Sequence, residues 1–160
     1  MSSALRVYLE GLNERSEIAI TLDIIEDFGR LPADMELAMF RVVQECVTNI
    51  HRHSGSKTAL IHVSRSSENI RVEIRDEGTG IPLERLAEIQ AGVSGVGVRG
   101  MQERLREFGG AMNIESDGSG TCILVSIPVP KQAGSTDVKP LQTVMRLGTL
   151  SATAKPRILS

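Results

Sequence analysis

Residues 92–100 read Gly92-Val-Ser-Gly95-Val-Gly97-Val-Arg-Gly100 and open onto a helical pattern. Gly95-x-Gly97-x-x-Gly100 satisfies the G-x-G-x-x-G spacing, so this stretch decides between two kinds of α/β fold. A dinucleotide-binding unit needs a strand before the glycines, a parallel strand after the helix, and an acidic residue about 20 positions on. Here the preceding segment, Leu83 to Gln90, reads as a short helix, and the following strand pairs in a hairpin. The doubly wound fold is therefore rejected. The P-loop is rejected too, because no Gly-Lys-Ser/Thr occurs. What remains is glycine amides at a helix amino terminus, a chemistry suited to phosphate oxygens.

Working outward, a helix is predicted from about Val98 to Phe108, ended by Gly109-Gly110. Ala111 to Ser116 and Thr121 to Pro128 are strands joined by Asp-Gly-Ser-Gly, which makes a hairpin. Upstream lies the glycine turn Asp76-Glu-Gly78-Thr-Gly80-Ile81-Pro82. Before it, Thr58 to Arg65 and Ile70 to Asp76 form a second hairpin around a polar turn at 66–69. Ile70, Val72 and Ile74 face one way, and Arg71, Glu73 and Arg75 the other, so one face of the sheet is buried.

Pro32 starts a long helix with Asp34 and Glu36 in its first turn, running to about His53 and broken by Ser54 to Lys57. Its apolar stripe is expected at Leu37, Phe40, Val43, Val47 and Ile50. Ile18 to Ile24 alternates as a strand, and residues 4–15 carry Leu5, Tyr8, Leu9 and Leu12 at helical spacing. The order predicts an α/β two-layer sandwich, with helices packed on one face of a mixed sheet.

The chain has 160 residues, enough for one domain with a sizeable core. Ten of its 15 glycines lie between Gly78 and Gly120, which places the function in the middle of the chain. Three Phe, one Tyr and no Trp disfavour a stacking platform for single-stranded nucleic acid, and a net charge of −2 disfavours a phosphate-backbone binder. No apolar run reaches the roughly 18 residues of a membrane span, and the first residues lack the continuous apolar stretch expected of a secretory signal.

Cys46 and Cys122 match no metal-ligand spacing and read as reduced core thiols. Residues 1–130 carry 13 basic against 19 acidic side chains, and residues 131–160 carry 5 against 1. The expected organisation is a folded domain over 1–130 and a flexible, weakly basic tail over 131–160.

Three constellations carry chemistry. Glu45 and Asn49 are i and i+4 on the long helix, with Arg52 and His53 one turn on, and all four are expected on roughly one face. A carboxylate and an amide oxygen one turn apart can ligate Mg²⁺, which water and phosphate complete. The residues equally suit an ordinary solvated face. Asp76, the last residue of its strand, precedes Gly78 and Gly80, which allow a close backbone approach. Its carboxylate can accept a hydrogen bond from an exocyclic amine such as adenine's, although D-x-G also marks plain turns. The third constellation is the phosphate cradle of Gly95, Gly97 and Gly100.

Taken together and in order, these resemble a known superfamily. FRVVQECVTNIHRHSGS (40–56) resembles the N box, DEGTGIP (76–82) the first glycine box and GVGVRGMQERLREFGG (95–110) the second glycine box of histidine-kinase-type ATPases, the Bergerat fold. The string R-G-M-x-E-R (99–104) and the short segment between the glycine boxes are most similar to the nitrate-sensor-like subfamily of two-component sensor kinases.

The resemblance covers about residues 4–130 and implies roles. Asn49 would ligate Mg²⁺, and Glu45 would assist the metal or water, or act as general base. Arg52 and His53 would lie near the phosphates. Asp76 would specify adenine, with Gly78, Gly80 and Ile81 lining the base. Gly95, Val96, Gly97 and Gly100 would belong to the lid around the triphosphate. Thr121 would support the contact between adenine and aspartate through water. His53 stands where many such kinases have Lys or Tyr.

The implied activity is ATP- and Mg²⁺-dependent transfer of the γ-phosphoryl to a histidine, in two-component signalling in the cytoplasm. Such kinases carry the acceptor on a helical dimerisation domain and pass the phosphoryl to a response regulator. His51 and His53 fall inside the N box and His62 on a strand, so none begins a helix before an acidic residue as an acceptor would. The acceptor is therefore expected on a dimerisation domain outside this chain, with no nucleic-acid partner and no direct membrane insertion. Two other readings share the fold, an anti-sigma-factor-type serine kinase and a non-catalytic nucleotide-binding interaction module. A chaperone- or topoisomerase-type ATPase would need a transducer domain after the fold.

Overall fold

In the computed structural model, residues 2–25, 28–93 and 95–129 are described. The tail expected over 131–160 lies outside them. The elements run α1 (Ser2–Asn13), β1 (Ala19–Ile24), α2 (Ala33–Asn49), a single π-helical turn (Ile50–Ser54), β2 (Thr58–Arg65) and β3 (Asn69–Asp76). They continue with α3 (Leu83–Gln90), α4 (Val96–Arg106), β4 (Ala111–Asp117) and β5 (Gly120–Pro128). The strands form one sheet in the order β1-β2-β3-β5-β4. β1 lies parallel to β2 and every other pair is antiparallel. The fold is the mixed-sheet α/β sandwich that the alternation predicts.

The core follows from period 2 in the strands and period 3.6 in the helices. Ile70, Val72 and Ile74 of β3 and Ile123, Val125 and Ile127 of β5 are buried beneath α2 and α4. α1 buries Leu5 and Leu9, with Tyr8 and Leu12 half-buried as its spacing predicts. The Asn13 side chain then bonds the outer edge of β1. Its Nδ2 donates to the Ile20 carbonyl at 3.0 Å, and its Oδ1 accepts the Ile20 N–H at 2.9 Å.

Three expectations about the helices need correction. The buried face of α2 comprises Met35, Ala38, Met39, Val42, Val43, Cys46 and Val47, and Leu37 is 57% exposed. Apolar residues at 35, 37, 38, 39 and 40 leave the helical phase open, and the i, i+3, i+4 set beginning at Met35 buries more. Phe40 is half-buried and meets Tyr8 edge to face at 5.5 Å.

Second, the α-helix does not continue to His53. It passes at Ile50 into the π turn, whose last residue donates its Ser54 hydroxyl to the Ile50 carbonyl at 2.8 Å. Gly55, at φ +66°, ends the turn. Third, α4 begins at Val96, because Gly95 takes a left-handed φ of +85° and serves as the cap. Its far end has the predicted glycines. The Gly109 N–H bonds the Arg106 carbonyl and the Gly110 N–H the Leu105 carbonyl, with Gly109 at φ +68°.

Only one cysteine is a core thiol. Cys46 is fully buried 3.6 Å from the Met101 sulfur, and burial, then the Glu45 charge, pushes its thiol up to about 12. Cys122 alternates with buried neighbours and falls on the open face of the sheet, half-buried beside Glu73.

Candidate functional site

Asp76 continues the inward row of Ile70, Val72 and Ile74, so a carboxylate occupies a position where the pattern calls for an apolar side chain. It is 6% exposed. Burial raises its pKa above the ordinary carboxylate value, while the backbone N–H groups of Gly78 and Thr121 pull it back down. The Gly78 bond is 2.8 Å long at Oδ1. Register places Thr121 of β5 directly beside Asp76.

Backbone packing then shapes the following loop. The Ser54 carbonyl at the end of the π turn accepts the Thr79 N–H at 2.9 Å, and a Cβ at Gly78 would collide with that same carbonyl. Gly80 sits at φ +72° against the Asp117 carbonyl, leaving no space for a side chain. The Ile81 N–H donates to the Ser116 hydroxyl at 2.7 Å. This end is closed by close contact between main chains.

The opposite wall comes from α2 and α4. Glu45, Asn49 and His53, spaced four apart, line one cavity of about 470 Å³ together with Asp76 and Thr121. Gly80 and Ile81 contribute from the glycine turn, and Gly95, Val96 and Gly97 from the start of α4. Glu45 and Asn49 are half-buried and His53 is exposed. Gly97 packs against the Glu45 carboxylate so closely that a Cβ there would overlap it. Ile89, Ile114 and Ile123 supply an apolar wall.

Three residues singled out from sequence lie outside the lining. Arg52 is exposed, because the wider i→i+5 winding of the π turn carries it away from the Glu45–Asn49–His53 line. Gly78 stacks on Ser54, and the position a Gly100 Cβ would take is open space. Ser54 and Ser116 were not foreseen. Ser116 carries a faint signal, since it follows Met112 and Ile114 on the inward positions of β4. Its partners become visible only once the strand register is known.

The donor set suits a nucleotide with a hard cation. A buried carboxylate beside a hydroxyl offers acceptors to an amine at one end of the cavity. A carboxylate and an amide oxygen one turn apart lie opposite, near a helix amino terminus. Among the described residues no three His, Cys, Asp or Glu side chains converge on a metal position.

Comparison with known proteins decides the family. Residues 34–131 match the histidine kinase-, DNA gyrase B-, and HSP90-like ATPase family. The chain belongs to it. Domains of this family bind ATP, so ATP is the nucleotide that the family supports for this chain.

The chain is 29% identical over 128 residues to the sensor histidine kinase MctS of Rhizobium johnstonii, covering 80% of this chain and 27% of that protein. It is 34% identical over 101 residues to the signal transduction histidine-protein kinase/phosphatase DegS of Bacillus subtilis, covering 62% and 26%. The chain thus spans about a quarter of the length of these curated relatives. The histidine kinase domain of the Erythrobacter litoralis EL346 blue-light activated histidine kinase has the same fold. Its TM-score is 0.65 at 22% identity, over 79% of this chain and 58% of that one.

Proposed function

We propose that this ATPase-family chain is the catalytic domain of a two-component sensor histidine kinase of the nitrate-sensor-like subfamily. The carrying observation is a single cavity lined by Asp76 and Thr121 from the sheet and by Glu45 and Asn49 from α2. Its relatives are sensor histidine kinases, and R-G-M-x-E-R stands at residues 99–104.

Asp76 accepts the exocyclic amine of adenine, and Thr121 supports that contact. The apolar wall receives the base, and Gly80 and Ile81 border it. Amides at the start of α4 around Gly95 and Gly97 face the phosphates, with Val96 over them. His53, at the cavity wall, contacts the phosphates directly, and Arg52 and Gly100 serve from outside it. Asn49 would hold Mg²⁺ directly and Glu45 would assist through water, and the ion's charge would neutralise the phosphates when bound.

Phosphoryl transfer depends mainly on position and on charge neutralisation, so the domain's task is to present the γ-phosphorus. The bond from that phosphorus to the oxygen leaving with ADP breaks, and a bond to an imidazole nitrogen forms. Glu45 takes the proton released. The accepting imidazole belongs to a dimerisation domain, because the three histidines of this chain are otherwise placed. His62 Nδ1 lies 2.8 Å from the Asp23 carboxylate on the open sheet face, and His51 and His53 are in the π turn. The phosphoryl then passes to a response regulator in the cytoplasm. Among the described residues no helix is long and apolar enough to cross a membrane.

The test incubates the purified chain with Mg·ATP labelled at the γ-phosphorus, with and without the dimerisation domain of Bacillus subtilis DegS. Acid-labile, base-stable label on the added domain, and none on the chain alone, is the expected result. Phosphoserine on any partner would replace this reading with the serine-kinase one. Label on the chain itself would overturn the placement of the acceptor.

A further inference from the structure

Three adjacent strands end their inner faces in polar side chains that are register neighbours: Ser116 on β4, Thr121 on β5 and Asp76 on β3. One inward step back, the row reads Ile114, Ile123 and Ile74, all buried. An apolar floor thus gives way abruptly to a line of hydroxyl, hydroxyl and carboxylate. Asp76 and Thr121 border the cavity, and Ser116 stands behind Thr121.

Ser116 Oγ has three partners. It accepts the Ile81 N–H at 2.7 Å, donates to the Gly120 carbonyl at 2.9 Å and lies 2.9 Å from Thr121 Oγ1. A serine hydroxyl owns one proton and two lone pairs. With the proton on Gly120 and one lone pair taken by Ile81, the other lone pair receives the Thr121 proton. Thr121 then presents only lone pairs to the cavity. Beside it the Asp76 carboxylate does the same. Two adjacent acceptors match an amine, or a water bound to one, and mismatch a carbonyl in the same place.

We propose that Ser116 is a positioning residue for base selection, fixing the Thr121 hydroxyl as an acceptor and tying the Gly80–Ile81 turn to the β4–β5 hairpin. The ligand class selected is a purine nucleotide bearing an exocyclic amine where Asp76 meets it, against one bearing a carbonyl there. This inference rests on the nucleotide reading of the cavity.

The test measures dissociation constants of the full chain for Mg·ATP and Mg·GTP by calorimetry, for wild type, Ser116→Ala and Ser116→Thr. Loss of one half-buried hydrogen-bond hub is expected to weaken ATP binding roughly five- to tenfold while leaving GTP unchanged. Ser116→Thr, which keeps the hydroxyl, is expected to restore ATP affinity. In a Thr121→Val background, Ser116→Ala is expected to add no further loss of ATP affinity. Unchanged ATP affinity in Ser116→Ala would overturn the proposal, and so would equal losses for ATP and GTP, which mark a packing defect. A wild-type chain that binds neither nucleotide would instead overturn the reading of the cavity itself.

Discussion

The two glycine-bearing segments beside the cavity use the same residue type unequally. At the Asp76 end, Gly78, Gly80 and Gly120 each press on a carbonyl of a neighbouring segment, and none has room for a methyl group. At the α4 end Gly97 also packs closely, on the Glu45 carboxylate, but a Cβ at Gly92 or Gly100, both outside the cavity lining, would meet nothing, and Val93 and Val96 are 79% and 92% exposed. Glycine at the first end permits contact. At the second it does so only at Gly97, and on either side of it leaves slack. On the proposed reading of the cavity, close main-chain packing borders the base, while the exposed segment around α4 borders the phosphates and carries more of the ordering cost of binding.

Substitution by alanine breaks this comparison most directly. Gly80→Ala must adopt a left-handed φ against the Asp117 carbonyl and is expected to cost about 3 kcal/mol of stability in urea unfolding. If it unfolds like wild type, the close packing at that end is refuted. Asp76→Asn removes the charged acceptor and is expected to weaken ATP binding by about 100-fold in calorimetry.

The same substitution carries a stability signature of opposite sign. The Asp76 pKa is raised in the fold, so protonation stabilises the native state, and this stabilisation is lost as pH rises through the raised value. Asp76→Asn is therefore expected to melt at or above the wild-type temperature at pH 7, and the advantage should vanish below the ordinary carboxylate range. A clear drop in melting temperature at pH 7 would show that the charge supports the fold.

Smaller effects sharpen the other end. Asn49→Ala is expected to reduce affinity for ATP about tenfold with Mg²⁺ present and little with EDTA, as befits one ligand of a mostly water- and phosphate-held cation. An equal loss in both conditions would remove Asn49 from the cation. Gly100→Ala, in a helix with open space around it, is expected to stabilise by about 0.5–1 kcal/mol. Destabilisation there would mean that the open end is packed by something else.

Much of this fold is legible in sequence where a pattern repeats. Thr58–Arg65 and Leu83–Gln90 have the bounds that alternation and flanking turns predict, and both hairpins form. The misreadings occur where periodicity is too short or too degenerate to choose. Five consecutive residues from Ile50 cannot separate i+4 from i+5 winding, so the π turn, and with it the position of Arg52, is invisible. Crowded apolar residues near Leu37 leave the phase of α2 undetermined.

Among the candidate residues, Asp76 stands out because it interrupts an alternating run of Ile and Val. Ser116 does not, since its meaning depends on a register set by two other strands. Glycine composition, finally, carries no sign of φ and no list of neighbours. The closed Gly80 and the open Gly100 therefore look alike on the page.

The amide of Asn13 has a consequence for life at high concentration. An edge strand exposes a row of unpaired groups on which another chain can add itself. By bonding both the N–H and the carbonyl of Ile20, Asn13 occupies the place on β1 where such an addition would begin. One side chain, at the end of the first helix, thereby covers part of an edge on which a neighbouring copy could extend the sheet.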